Sequence, residues 1–338
     1  MAGRQKQTEW SDFAWQGLCL RVPEDWNLGK VDGKYESGYA RLDDAEIVRA
    51  EIEWRDARGR KGGVLSMSKL VDRYLENLEK KAEKTDTSFS VKRRAKFLKK
   101  KQWLEDCEYE TFIWEADYRA YNLALATADG ERIVLLRILA HFGEDIEETV
   151  NTVFSSLRNQ PADEQTYWCV YGMGFRAPAA YRLAEHQLKS GHIQLSFTEG
   201  KHTCRVHRFS LAHMLLKGTD LERWFPVFFK KQLKDMHFEV YSEEVEGHAG
   251  LRVVGKPHSR WRQLLRPLPW INPRPRNYLD GRAWHCEASN KICVVEHLYR
   301  RKDEAGDVAE EMSHGYICHA QQDQAEPRSN ARLAADPQ

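Results

Sequence analysis

The pattern of apolar and polar positions repeats once along the 338-residue chain. Residues 17–26 (GLCLRVPEDW) and 172–181 (GMGFRAPAAY) each begin with glycine, alternate apolar side chains, reach a proline and end on an aromatic residue. In both halves two further alternating segments follow, a pattern typical of half-buried antiparallel strands. The spacing of about 155 residues predicts an internal duplication.

Each half also carries two segments with apolar residues at spacings of three and four, which predict amphipathic helices. These segments are residues 66–84 and 145–157 in the first half, and 219–236 and about 306–318 in the second. Thr219 and Glu222 predict a capping box at the start of the third helix. Pro226 predicts a kink in that helix, or its true start.

The order of strands, helix, strands and helix in each half predicts an α+β fold. We expect two tandem α/β/α sandwich domains, each an antiparallel sheet with two main amphipathic helices. The predicted division is a flexible N-terminus (1–9), a first domain (10–159), a polar linker (160–165), a second domain (166–319) with a basic Pro/Trp-rich insertion at about 257–279, and a disordered tail (320–338).

The strand that ends in VPEDW, the glycine-led strands, the long amphipathic helix, the meander and the terminal helix resemble the PsbP-like superfamily, which includes DcrB-like bacterial proteins. The resemblance covers most of residues 10–158 and, less closely, 166–319. It implies an α/β/α sandwich that acts as a binding or assembly module, without a shared catalytic centre. No site residue is carried over from it.

Composition excludes some classes of protein. The chain is 41% hydrophobic and 30% charged, and 52 basic residues balance 51 acidic ones, so it lacks the overall basic excess of a nonspecific nucleic-acid binder. No apolar run approaches the roughly 18 residues that a membrane helix needs, and the N-terminus has no apolar signal region. We therefore expect a cytoplasmic protein without membrane insertion, whose seven cysteines are reduced thiols.

Histidine and cysteine concentrate in the second half, which holds five of the seven cysteines and all 13 histidines except His141. One group is His202, Cys204 and His207, and a C-terminal set is His285, Cys286, Cys293, His297, His314, Cys318 and His319. No two of them have the short loop spacing of a zinc ribbon. The spacing therefore favours buried thiols and surface imidazoles, with no metal and no cofactor, and His202, Cys204 and His207 are only weak metal candidates.

Two basic stretches are candidate binding surfaces. The first is Lys92, Arg93, Arg94, Lys96, Lys99, Lys100 and Lys101, in or beside an edge strand, where lysines also prevent strand-to-strand aggregation. The second lies in the insertion, where no acidic residue occurs and the candidate partner-binding residues are Trp261, Arg262, Arg266, Trp270, Arg274 and Arg276. Arginine and tryptophan are enriched at interface hot spots. Three interpretations stay open: a loop packed on its own domain, a protein partner, or a nucleic acid or another polyanion.

These features favour a non-catalytic binding or scaffold protein, an accessory subunit of a larger assembly. The first alternative is an enzyme, Cys/His-based or metal-assisted, with a site between the two halves or beneath the inserted loop. The second is nucleic-acid or polyanion binding through the insertion. GMGFRA at residues 172–177 approximates a dinucleotide fingerprint, but the repeat predicts a strand there, not a strand-to-helix turn.

Overall fold

The fold is mostly antiparallel β-sheet. The computed structural model describes residues 8–57, 66–99, 101–161, 165–258, 277–302 and 306–319. Strands hold 49% and helices 19% of the described residues, and the strands form three sheets. The prediction of α+β sandwiches with two main helices per domain is therefore wrong.

Each half contributes one seven-stranded sheet. The first contains β3 (Asn27–Gly33), β4 (Gly38–Asp43), β5 (Val48–Asp56), β6 (Ser90–Arg93), β7 (Tyr109–Glu115), β8 (Arg119–Ala126) and β9 (Arg132–Ala140). Their order across the sheet is β3-β4-β5-β9-β8-β7-β6, and every neighbouring pair is antiparallel.

The second large sheet has the same topology. It contains β13 (Arg182–Lys189), β14 (His192–Glu199), β15 (His202–Ser210), β16 (Met236–Val245), β17 (His248–Pro257), β18 (Tyr278–Cys286) and β19 (Lys291–Tyr299). The order β13-β14-β15-β19-β18-β17-β16 repeats that of the first sheet, strand for strand. An internal duplication requires this common order.

A third sheet joins the two halves. It consists of β1 (Trp10–Trp15), β2 (Leu18–Pro23), β10 (Arg158–Asn159), β11 (Thr166–Val170) and β12 (Met173–Ala177), in the order β10-β2-β1-β11-β12. Strand β1 of the first half pairs with β11 of the second, with Ala14 opposite Cys169. Because both halves supply strands to this sheet and side chains to one inner core, they are not two independent sandwiches.

Helices cover only parts of the sheets. They are α1 (Met67–Lys84), α2 (Glu147–Ser156), α3 (Ala212–Leu215), α4 (Leu221–Phe228), α5 (Lys230–Leu233) and α6 (Val308–Ser313), with a 3₁₀ turn at Gln102–Leu104. Helix α1 packs on the outer face of the first sheet, α4 and α5 pack on the outer face of the second, and α2 and α6 pack in the shared inner core. No helix among the described residues is long and apolar enough to cross a membrane.

The helices of the second half are shorter than the sequence predicts. The segment 219–236 forms α4 and α5 in place of one helix, and its N-cap is Asp220, whose carboxylate accepts the amide of Arg223 at 2.8 Å, not Thr219. The predicted helix at 306–318 is reduced to α6, because Gly315 has a φ of +69°, the left-handed backbone that ends a helix.

Candidate functional site

An exposed apolar surface lies over α3 and α4 in the second half. We define the α3–α4 surface as Leu211, Met214, Leu215, Val227 and Phe228, whose exposed fractions are 53%, 63%, 36%, 74% and 45%. Both helices belong to one buried cluster through Ala212 and Trp224, so their outer faces lie over the same side of the second sheet.

Helix α4 is apolar on both of its faces. Trp224 and Phe225 are buried against the sheet, whereas Val227 and Phe228 face outward. The ring of Phe228 stacks on Trp224 at 5.1 Å between centroids and meets Phe209 edge-on at 4.7 Å. The exposed aromatic side chain is therefore held by the core beneath it. The sequence signal was the run FPVFF, which has apolar residues all round a helix.

The charged residues around this surface are predominantly basic. Between Leu211 and Asp235 the chain has five lysines and arginines, against three acidic residues. The basic residues are Lys217, Arg223, Lys230, Lys231 and Lys234, all exposed. Arg223 lies 3.7 Å from Asp220 in the same segment. We call these five exposed basic residues, which belong to the same chain segment as the α3–α4 surface, its rim.

A chain of buried polar groups supports α5 beneath this rim. His192 Nε2 lies 3.0 Å from His207 Nδ1, and His207 Nε2 lies 3.2 Å from a carboxylate oxygen of Glu296, which is fully buried. The other oxygen of Glu296 accepts the side-chain amide of Gln232 on α5 at 2.6 Å. Burial and the nearby His207 lower the pKa of His192 to about 4, so this ring is neutral near pH 7. The chain ties β14, β15, β19 and α5 together.

The weak metal candidates on β15 do not converge. Cys204 and His207 are three residues apart in a strand and therefore lie on opposite faces of the sheet. Cys204 is fully buried in the inner core, and His202 lies 3.3 Å from His297 on that side. His207 instead contacts Glu296 on the outer side.

A different set of histidines and cysteines does converge. One ligand atom from each of His248, Cys286, Cys318 and His319 lies within 4.8 Å of the other three. Cys318 Sγ is 3.2 Å from His248 Nε2 and 3.2 Å from His319 Nδ1, and Cys286 Sγ is 3.3 Å from His319 Nδ1. Sequence reasoning named three of these residues as part of a larger set but missed His248. The register of β17 against β18 was the missing information.

Two side chains of this Cys/His cluster, Cys318 and His248, have a pKa shifted toward the neutral form. Burial and the adjacent Cys286 raise the pKa of Cys318 to about 12. Burial, followed by His319 and His285, lowers the pKa of His248. Neutral imidazole is the form that binds a metal, whereas a thiol must lose its proton to do so.

The first basic stretch lies at a sheet edge, as the sequence predicts. Strand β6 is an edge strand of the first sheet. Its Arg93 donates hydrogen bonds to the carboxylates of Glu110, at 2.8 Å, and Asp72, at 2.5 Å. The side chains of Lys92, Arg94, Lys96, Lys99 and Lys101 are exposed, and Lys100 lies outside the described residues. Arg93 is thus engaged within the fold, and the exposed lysines and Arg94 stay candidates.

The second basic stretch lies outside the described residues. Trp261, Arg262, Arg266, Trp270, Arg274 and Arg276 all fall in the segment 259–276. That segment joins β17, which ends at Pro257, to β18, which begins at Tyr278. The equivalent strands of the first half, β7 and β8, are joined by residues 116–118 alone. Its predicted role as a partner contact stays a prediction.

One cleft lies within the first half, between α1 and the first sheet. It has a volume of about 300 Å³, and its lining combines apolar side chains such as Trp54 and Phe112 with charged ones such as Glu53, Arg55 and Arg73. It is therefore in neither of the two places that the enzyme alternative names.

Neither a scan of protein-family models nor a search of curated proteins matches this chain. Among solved structures, it is similar to the T6SS immunity protein TplEi from Pseudomonas aeruginosa complexed with "L" peptide, with 11% identity, a TM-score of 0.36 and coverage of 91% of this chain and 98% of that one. The apo structure of TplEi gives 9% identity and a TM-score of 0.30 at the same coverage. Both TM-scores are below 0.5.

Proposed function

We propose that this chain is a non-catalytic binding protein that docks a protein partner through the α3–α4 surface, as an accessory subunit of a larger assembly. The observation that carries this proposal is the group of five exposed apolar side chains on α4, on α3 and at the residue before α3, all over one buried cluster. Contiguous apolar patches on a protein surface mark interaction sites, whereas scattered exposed apolar residues need no explanation.

The shape of this surface favours a folded protein partner. Phe228 is held against Trp224 and Phe209, so its ring loses little conformational freedom on docking. Val227 and Met214 are the most exposed of the five side chains and have the most area to bury. An apolar centre inside a polar rim is the arrangement found in protein interfaces.

The charge around the surface indicates the chemistry of the partner. Five lysines and arginines against three acidic residues require an acidic rim on the partner for complementarity. We therefore infer a partner with an apolar patch bordered by aspartate and glutamate. Its association rate should fall as salt screens the rim charges.

We propose the Trp/Arg segment at 259–276 as a second contact with the same partner, because it is rich in tryptophan and arginine. Replacing Trp261 and Trp270 by alanine should weaken association by about 2 kcal/mol or more, the hot-spot scale, with a much smaller change in stability.

The docking surface can be tested by site-specific photo-crosslinking in the source cell. A crosslinker at Val227 should trap one protein that a crosslinker at Phe142 does not trap. Phe142 is a matched control because it is 55% exposed and lies in the first half, after β9. The trapped protein should also co-purify with the wild type and with Phe142→Asp, but not with Met214→Asp/Val227→Asp.

Two results would contradict the proposal. One is co-purification of the same protein with Met214→Asp/Val227→Asp at the wild-type yield. The other is crosslinking of Val227 only to a second copy of the chain, together with a dimeric mass by light scattering, which would make the surface a self-association interface.

A further inference from the structure

We propose that His248, Cys286, Cys318 and His319 bind one zinc ion in a closed, structural site that fixes the C-terminal segment to the second sheet. This inference is independent of the docking function, and it reverses the sequence prediction that the chain binds no metal. It rests on four residues from three separate parts of the chain.

The spacing of the four ligand atoms fits a tetrahedron. Zinc bonds of about 2.3 Å to sulfur and about 2.0–2.1 Å to nitrogen place S and N ligands roughly 3.6 Å apart. The three recorded S···N separations are 3.2–3.3 Å, and all four ligand atoms lie within 4.8 Å of one another. Small side-chain rotations would therefore complete the coordination, without movement of a strand.

Sheet register brings the first two ligands together. Gly250 on β17 pairs with Trp284 on β18, so two positions further along His248 lies opposite Cys286 on the same face. Directly opposite residues in an antiparallel pair have Cβ atoms about 4.5–5.5 Å apart. The turn before His248, Glu246–Gly247, has φ values of +50° and +76°, which suit a two-residue hairpin turn.

The other two ligands are carried on a segment that is anchored on both sides. Ile317 exchanges two backbone hydrogen bonds with Gly174 of β12, at 2.7 and 3.0 Å. The amide of Gly315 donates to the Glu246 carboxylate in the hairpin turn at 2.9 Å. Cys318 and His319 follow directly, so the backbone delivers them to the same end of the sheet as His248.

At the equivalent position of the first half, the strand β2 pairs with a later segment that is fixed by different side chains. Cys19 and Gly174 are the third residues of the two repeated segments, and Cys19 pairs with Arg158 of β10 as Gly174 pairs with Ile317. The residue that follows Arg158 is Asn159, which thus takes the place that Cys318 takes in the second half.

Polar side chains hold Asn159, whereas Cys318 lies in the Cys/His cluster. The side-chain carbonyl of Asn159 accepts from the buried Arg132, and its amide donates to Asp129 at 2.9 Å. Arg132 also donates to the carbonyl of Gln16 at 2.7 Å. Each half therefore fixes its last segment to the shared sheet with its own set of side chains, and in the second half that set has the composition of a zinc site.

The chemistry of the ligand set selects the ion and the role. Two thiolates and two imidazoles in a tetrahedron favour zinc among the common biological divalent ions. Four protein ligands leave no position for water or substrate, which is the property of structural rather than catalytic sites.

The test is the zinc content of the full-length chain, expressed without a histidine tag and purified without chelator. Elemental analysis should find about one zinc ion per chain, and Cys286→Ser and His248→Ala should each lose most of it. Cys293→Ser is the matched control, because Cys293 is as buried as Cys286 but is not one of the four ligands. It should keep the wild-type content.

A measurement on the unaltered chain covers the case in which the variants fail to fold. Cobalt exchanged into the wild type should give the visible absorption of a tetrahedral cobalt–thiolate site, and added zinc should abolish that absorption. Three results would overturn the proposal: no bound metal after incubation of the reduced protein with zinc, a Cys286–Cys318 disulfide in the freshly purified protein by mass, or full zinc content in Cys286→Ser.

Discussion

The sulfur of Cys318 lies 3.2 Å from Nε2 of His248, although 70 positions separate the two residues. This contact joins the start of β17 to residues 314–319, which end the last described range of the chain. Tyr316 in that segment is buried in the inner core, where it stacks on Phe175 and meets Trp284 edge-on at 4.8 Å. The Cys318–His248 contact thus closes one end of the core that both halves share.

Removing the metal should loosen this end of the core and leave its first-half counterpart intact. With chelator, hydrogen exchange at the amides of Gly174 and Ile317 should accelerate about tenfold or more, because local opening costs less free energy. The Cys19–Arg158 pairing is the internal control and should not change. Equal acceleration at both places, measured by mass spectrometry of the peptides, would show that chelation destabilises the whole fold.

Arg132 should be a large contributor to the stability of the first half. Its side chain is 1% exposed, donates to the carbonyls of Gln16 and Tyr35 at 2.7 and 3.0 Å, and lies 4.0 Å from the Tyr35 ring centroid. Arg132→Met leaves those buried acceptors without donors and should lower the free energy of unfolding by about 2–4 kcal/mol. Urea denaturation measures this free energy. The control is Arg119→Met, which removes a partly exposed ion pair with Glu115 and should cost less than about 1 kcal/mol.

Stability should decrease as the pH falls below about 6.5. Burial and the adjacent His202 lower the pKa of His297 from its ordinary 6.5 to about 4, and the pKa of His192 is lowered to about 4 as well. Between these values the unfolded chain binds more protons than the folded chain, so protonation favours unfolding. Above pH 6.5 neither ring contributes to the slope.

The variant His297→Gln should flatten this dependence, because one of the two titrating groups is gone. Thermal melts between pH 7 and 4 measure the slope. The exposed His237, replaced by glutamine, is the control and should keep the wild-type slope. A wild-type slope in His297→Gln would mean that other groups cause the acid sensitivity.

Substitutions at two positions of α4 should differ in how much they lower the free energy of unfolding. Phe225 is fully buried and Val227 is 74% exposed. Phe225→Ala should cost about 3–5 kcal/mol of stability by leaving a cavity, whereas Val227→Asp should change stability by less than about 0.5 kcal/mol. Urea denaturation of the two variants distinguishes them, and a large loss in Val227→Asp would mean that the α3–α4 surface is part of the core.

Local patterns in the sequence predicted single elements well. Periodicity placed a helix at 66–84, and the structure has it at Met67–Lys84. The repeated segments 17–26 and 172–181 contain β2 and β12. The predicted fold class was wrong because periodicity shows where a helix forms but not how much of a sheet it covers. The second large sheet has seven strands of eight to ten residues, and α3 to α6 are only four to eight residues long.

Long-range pairing was not available from the sequence. The third sheet depends on Ala14 meeting Cys169, and no local pattern encodes which edges meet. The Cys/His cluster was missed for the same reason. Zinc-ribbon ligands occur as short-spaced pairs along a chain, whereas His248 and Cys286 are neighbours only because β17 and β18 are adjacent in one register.

The most direct test of the binding function is the affinity of the crosslinked partner, measured by calorimetry with purified proteins. Val227→Asp should raise Kd by about 30-fold or more, equal to about 2 kcal/mol, since it places a carboxylate against an apolar patch with an acidic rim. Phe142→Asp should leave Kd unchanged, and higher salt should weaken wild-type binding. An unchanged Kd for Val227→Asp, with the fold intact, would contradict docking through the α3–α4 surface.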